Sequence, residues 1–172
     1  MSEFFSGAHL HLLVNHAPVL GTLFALALVV ASFLFAPDVL RRSALIVLVG
    51  AAIAAAAADL SGDPAEHAII GLPGVKREVI HQHEEMADKA YIIAVALGVL
   101  SLGALLRWRR TPIPRGVAAG LVLATAFSGG AMAYTALLGG QIRHTEVRPG
   151  ATAADAMVIE PRRPRRPAPA EP

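Results

Sequence analysis

The strongest constraint on this chain is a set of apolar segments, each about as long as a bilayer is thick. A helix needs roughly 20 apolar residues to cross about 30 Å of hydrocarbon. The first segment runs from about Ala17 to Ala36 (APVLGTLFALALVVASFLFA) and the second from about Ser43 to Leu60. The third runs from about Met86 to Leu106 and the fourth from about Gly116 to Leu138. Backbone groups in hydrocarbon have no water to bond, so spans of this kind are helical. Hydrophobic residues make up 55% of the 172 and charged residues only 16%, which excludes an ordinary soluble domain. The expected fold class is all-α: a four-helix transmembrane bundle with up-down topology. The second segment is the weakest of the four, since it is rich in alanine (VGAAIAAAAADL), which is only marginally apolar, and it suits a place among the other helices.

Charge gives the orientation. The connection between spans one and two carries Arg41 and Arg42; that between spans three and four carries Arg107, Arg109, Arg110 and Arg115. Short basic connections stay in the cytoplasm. Between spans two and three, acids dominate: Asp59, Asp63, Glu66, Glu78, Glu84, Glu85 and Asp88 against Lys76, Arg77 and Lys89. Both termini and the loop from about 61 to 85 are therefore expected on the periplasmic side of a bacterial inner membrane. The opening MSEFFSGAH has no Lys or Arg, unlike the basic start of a cleaved signal peptide. Residues 1–148 read as the membrane domain and 149–172 as a disordered tail rich in Pro and Arg. Much of the positive charge sits in that tail, and nothing else points to a nucleic-acid partner. The partner implied by composition is the lipid bilayer. With no cysteine, disulfides, thiolate metal sites and covalent c-type haem attachment are excluded.

This topology gathers all 7 histidines on one face. His9, His11 and His16 precede span one, His67 lies in the outer loop, His81 and His83 precede span three, and His144 follows span four. At about 1.5 Å per residue, His16 falls at the membrane edge, with His11, His83 and His144 roughly 5 to 10 Å beyond it. His9, His67 and His81 read as solvated, and some clustering follows from charge-sorted topology alone. The remaining four lie next to span ends on different helices. His11 and His16 are separated by about 140° on a helix and do not share a face. Pro18 has no amide hydrogen and suits a first turn, so span one is expected to start near His16 with His11 on a preceding turn or loop. His83 shares a face with Ala87 and Ala90, which turns it toward the bundle; His81, Glu84, Glu85 and Asp88 share another.

Two chemistries suit such imidazoles. One is a haem b held between two neutral histidines drawn from His11, His16, His83 and His144, with Arg143, Lys76, Arg77 and Arg148 as cations for its propionates. The other is a zinc, copper or iron ion held by His16, His83 and His144 with Glu84, and with Glu66 and Glu146 close by. The small residues Gly50 to Ala58 and Gly120, Ser128, Gly129 and Gly130 serve close helix packing or make room for a flat cofactor. Ser6, Ser61 and Ser128 lack an acid-base partner for nucleophilic catalysis, and no glycine-rich phosphate loop is present. No span holds a charge near its middle, where a transport path needs one. No reaction is assigned.

The stretches HLLVNHAPVLG, GDPAEHAI followed by LPGVKREVIHQHEEMA, and GGQIRHTEVR lie in this order between residues 9 and 148. They resemble a group of uncharacterised bacterial four-helix membrane proteins. More loosely, the opening resembles a wider membrane family of unknown function grouped with the di-haem b-type cytochromes. The resemblance implies His11, His16, His83 and His144 as the histidines to test. Span two carries no histidine, a departure that favours one haem over two. The expected function is b-type haem electron transfer with a redox partner; the alternatives are non-haem metal binding and a cofactor-free structural subunit of a larger membrane complex.

Overall fold

The structure is a computed structural model that describes residues 7–161. These residues form α1 (Gly7–Val14), α2 (His16–Ala31), α3 (Pro37–Leu60), α4 (Gly62–Ile69), α5 (Arg77–Arg107) and α6 (Arg115–Arg143), followed by two short 3-10 turns, with no strand among them. Four runs are long and apolar enough to cross a membrane: Gly7–Ala31, Pro37–Leu60, Arg77–Arg107 and Arg115–Arg143. The chain is a multi-pass membrane protein whose described residues form helices and no strand.

The first run is interrupted at Asn15. Pro18 cannot donate to the Val14 carbonyl four residues back, so α1 ends there and α2 starts at His16. The Asn15 N–H still reaches the His11 carbonyl at 2.9 Å, which keeps the two pieces nearly continuous. His11 therefore sits on its own short helix, ahead of the proline turn.

The long helices close a ring in which α2 packs on α3 and α6, and α5 packs on the same two; α1 lies on α4. Small side chains set how near they come. Gly98 of α5 lies where a Cβ would overlap that of Ala52 on α3, and a Cβ on Gly21 of α2 would stand 3.2 Å from Ala51. The alanine-rich second span supplies Ala44, Ala51 and Ala55 to the core. Gly129 and Ser128 are buried on α6, whereas Gly50, Gly120 and Gly130 have open space around them. Ala25, Val29, Ala44, Leu48, Leu97 and Ala118 form the core toward one end, and Ala55, Ala90, Ala94 and Met132 toward the other. Large apolar side chains such as Phe24, Ile53, Ile92, Leu100 and Phe127 face outward, as lipid-facing residues do.

At one end, arginines lock the connections. Arg41 is buried and donates to the Ile113 carbonyl (2.7 Å) and the Ser32 hydroxyl (3.4 Å). Arg42 pairs with Asp38 (2.7 Å) and donates to the Trp108 and Thr111 carbonyls (2.8 and 2.9 Å). The Ile113 N–H donates to Asp38 at 2.9 Å. The start of α3 thereby holds the backbone of the α5–α6 connection.

The opposite end differs from the loop expected over 61–85. It contains α4 and the first turns of α5, because Glu, Gln, Met and Ala between 78 and 90 favour helix although they are not apolar. Between α4 and α5, Gly74 takes φ 77°, and a Cβ there would meet Thr145 at 3.0 Å. Val75, Ile80 and Ile142 bury together beneath this turn. Residues 149–161, expected as part of a disordered tail, fold back on it. Val158 accepts from the Gly74 N–H (2.8 Å), Lys76 pairs with Asp155 (2.5 Å), and Arg77 lies 3.8 Å from the Glu160 carboxylate. Lys76 and the Thr152 N–H and hydroxyl hold the Asp155 carboxyl well below the usual aspartate range. The tail's carboxylates thus give it a place that its Pro and Arg content conceals; residues 162–172 lie outside the described residues.

If the α3–α5 contact sets the ring, Gly98→Leu overpacks it and costs about 1–3 kcal/mol. Gly103→Leu, on an open face of the same helix, leaves stability nearly unchanged. Thermal unfolding in detergent compares the two; equal losses contradict the packing account.

Candidate functional site

The site is built where α1, the α3–α4 junction, α5 and α6 meet. His11 of α1 points its Nδ1 at the Ala58 carbonyl (3.0 Å) and the Ser61 hydroxyl (3.1 Å). Ala58 lies in the last turn of α3, where carbonyls have no helical donor of their own. Ser61 also donates to that carbonyl, at 2.9 Å. His83, in the second turn of α5, points its Nδ1 at the Thr135 carbonyl of α6 (3.0 Å). Gly139 makes this reach feasible. It lies one turn beyond Thr135, and a Cβ there would stand 3.0 Å from His83 Cε1 and 3.2 Å from Nδ1. The ring lies flush on the glycine.

Both arrangements fix the same tautomer. A carbonyl oxygen only accepts, so in each histidine Nδ1 carries the hydrogen and donates. In the neutral ring that leaves Nε2 with its lone pair, and neither Nε2 makes a hydrogen bond to a described residue. Both rings are half-buried, and they lie near enough for charge on one to act on the other. Two imidazoles on different helices thus share one mouth of the ring, each clamped by its inner nitrogen.

The other predicted residues are dispersed. His16 is exposed on the outer side of α2. His144 ends α6, exposed, with its Nδ1 2.9 Å from the Glu146 carboxylate. The Glu146 carboxyl is held below the usual glutamate range by its own N–H and by the His144 ring. Glu84 follows His83 in sequence but turns toward α4, against Glu66, with His81 Nδ1 4.0 Å away. His67 caps its own turn through the Asp63 carbonyl at 2.7 Å. Arg143 is exposed and donates to the Pro73 carbonyl at 3.4 Å. Arg148 is spent on the Gln141, Gly74 and Ile142 carbonyls at 2.6, 2.7 and 3.0 Å, and Lys76 and Arg77 on the tail. Among the described residues no group of three or more His, Asp or Glu is placed to hold a metal ion. Ser61, Thr135 and Gly139 are the members that sequence reasoning did not find. The signal for Gly139 is its four-residue spacing from Thr135, visible only once α6 is set beside α5.

Compared with family models, with curated proteins and with solved structures, the chain matches none. Its class therefore rests on the helices and the histidine pair: a multi-pass helical membrane protein with two carbonyl-anchored imidazoles at one end.

Gly139→Val drives methyl groups into the His83 ring and is expected to cost about 1–3 kcal/mol. In a His83→Ala background the same change costs much less, because the clash has lost its partner. A double-mutant cycle on thermal unfolding measures this; strictly additive losses contradict the contact.

Proposed function

We propose that this protein is an electron-transfer subunit of a bacterial inner membrane that binds haem b between His11 and His83. In this reading the helices run up and down, both termini and the histidines face the periplasm, and the arginine-locked end faces the cytoplasm, in keeping with retention of short basic connections. One observation carries the proposal. Each ring donates Nδ1–H to a backbone carbonyl on a neighbouring helix, which is how ligating histidines are oriented and their outer nitrogen made more basic.

The donor set suits the group: two neutral imidazoles are ligands that would hold the iron of a b-type haem. Such a haem supplies a reversible one-electron couple. The chain's residues do the positioning. Ala58 and Ser61 hold the His11 ring, and Thr135 and Gly139 hold the His83 ring. His16 and His144, both exposed, would not hold the iron in this reading, and Arg143, exposed at the end of α6, would be a cation for a propionate. A redox partner would dock on this face. A zinc, copper or iron ion held by His16, His83, His144 and Glu84 draws no support from residues so dispersed.

One observation favours a second reading. The same bonds tie α1 to α3 and α5 to α6, so the histidines act as helix staples even with nothing bound, as in a cofactor-free subunit of a larger membrane complex.

An absorption spectrum of the detergent-extracted full chain separates the two. The haem reading predicts a Soret band that His11→Ala and His83→Ala abolish or shift and that His16→Ala leaves in place. The staple reading predicts no band, even after haem supplementation, and a lower melting temperature for both alanine variants.

A further inference from the structure

We infer that the groove between α2 and α6 at the arginine end binds an anionic phospholipid, an acyl chain lying in the groove and the phosphate at Arg115. This rests on the membrane spans and is independent of the histidine pair. The groove is shallow and open to the outside, with a volume of about 530 Å³, and is lined by Val30, Phe33, Leu34, Ala119, Val122 and Leu123. No polar residue is among them, and Leu34 and Leu123 are 77% and 74% exposed. A surface of this kind within a membrane span fits hydrocarbon.

The headgroup argument comes from the register of α6. Arg115, Ala119, Val122 and Leu123 follow one another at i, i+4, i+7 and i+8, so they lie on one stripe of the helix. Arg115 is the first residue of that stripe and stands at the mouth of the groove. Its guanidinium sits 5.3 Å from the centre of the Phe33 ring, which itself lines the groove. Arg41 approaches the same ring at 5.8 Å, but it is buried and committed to Ser32 and Ile113. Arg115 is exposed and makes no hydrogen bond or ion pair to a described residue.

Two further features select a negative headgroup. The residue before α6 is Pro114, and no side chain caps the helix, so the N–H groups of its first turn are left for an outside acceptor. From Ser101 through His144 the sequence has no Asp or Glu, while Arg107, Arg109 and Arg110 add to the positive field. The nearest acid across the connection, Asp38, is already engaged by Arg42 and the Ile113 N–H. A phosphate at Arg115 thus meets a stacked cation, open helix N–H groups and no competing carboxylate. Basic pockets between membrane helices recognise anionic headgroups in this way.

The test is native mass spectrometry of the full chain in detergent, offered phosphatidylglycerol and phosphatidylcholine with identical acyl chains in equal amounts. Wild type is expected to retain phosphatidylglycerol about fivefold over phosphatidylcholine, the effect of one well-placed cation. Arg115→Ala and Arg115→Gln abolish that preference, Arg115→Lys keeps part of it, and Val122→Trp, which fills the groove, expels both lipids. Melting curves of each variant establish that it is folded, and the Gln and Lys variants carry the comparison if the alanine variant is not. Equal retention of the two lipids by wild type overturns the assignment, as does a preference that survives the loss of the Arg115 charge. A dimer broken by Val122→Trp with no lipid retained also overturns it, since the groove is then an interface between copies.

Discussion

A carbonyl at a helix end or in a connection has no helical donor, so it takes its hydrogen bond from water or from a side chain that reaches it. In this chain long polar side chains answer that demand at both ends of the ring. Arg41 and Arg42 reach the Ile113, Trp108 and Thr111 carbonyls at one end. His11 reaches Ala58, and Arg148 reaches Gln141 and Ile142, at the other. Between the ends the helices touch through Gly98, Gly21 and the alanines of α3, which contribute closeness and little else. Two hydroxyls turn back on their own helix, Thr22 to Pro18 (2.8 Å) and Thr135 to Ala131 (2.9 Å), while those of Ser101, Thr125 and Ser128 are buried without a hydrogen-bond partner.

The two ends answer the demand with different chemistry. An arginine that caps a carbonyl keeps a permanent charge and closes the structure. A histidine that does the same spends one nitrogen and retains the other. The outer nitrogens of His11 and His83 are therefore a by-product of holding helices together. Among the described residues, these two rings bring imidazole nitrogens from separate helices to a common mouth. The lipid-facing groove beside Arg115 follows the same logic in reverse: Arg115 is an arginine with no carbonyl to cap, stacked where a foreign acceptor can reach it.

The spans were legible because a run of apolar residues needs no partner to declare itself. The polar helix ends were not. The segment 77–89 is charged, so apolar length alone placed the start of the third span near Met86, although α5 begins at Arg77. The separation of His11 from His16 followed from helix geometry, but which one faces inward depends on how the break at Asn15 sets the phase of α1 against α3, and that is a tertiary matter. The expectation that His16 lies deepest treated depth and orientation as one quantity. His16 looks outward, while His11, one short helix earlier, looks in. Gly139 was invisible for the same reason: its role exists only against His83 on another helix. The tail's placement depends on Asp155 and Glu160 meeting Lys76 and Arg77, pairs more than seventy residues apart in sequence that no local pattern predicts.

Both readings of the histidine pair depend on the carbonyl anchoring of the two rings. Nitrogen-15 NMR of the imidazoles in the detergent-solubilised chain, without added haem and at a pH where the rings are neutral, reads it directly. His11 and His83 are predicted to carry their hydrogen on Nδ1, with Nε2 unprotonated, while exposed His16 shows the Nε2–H form that free histidine prefers. If His11 and His83 also appear with the hydrogen on Nε2, the anchoring is wrong and the site built on it is lost.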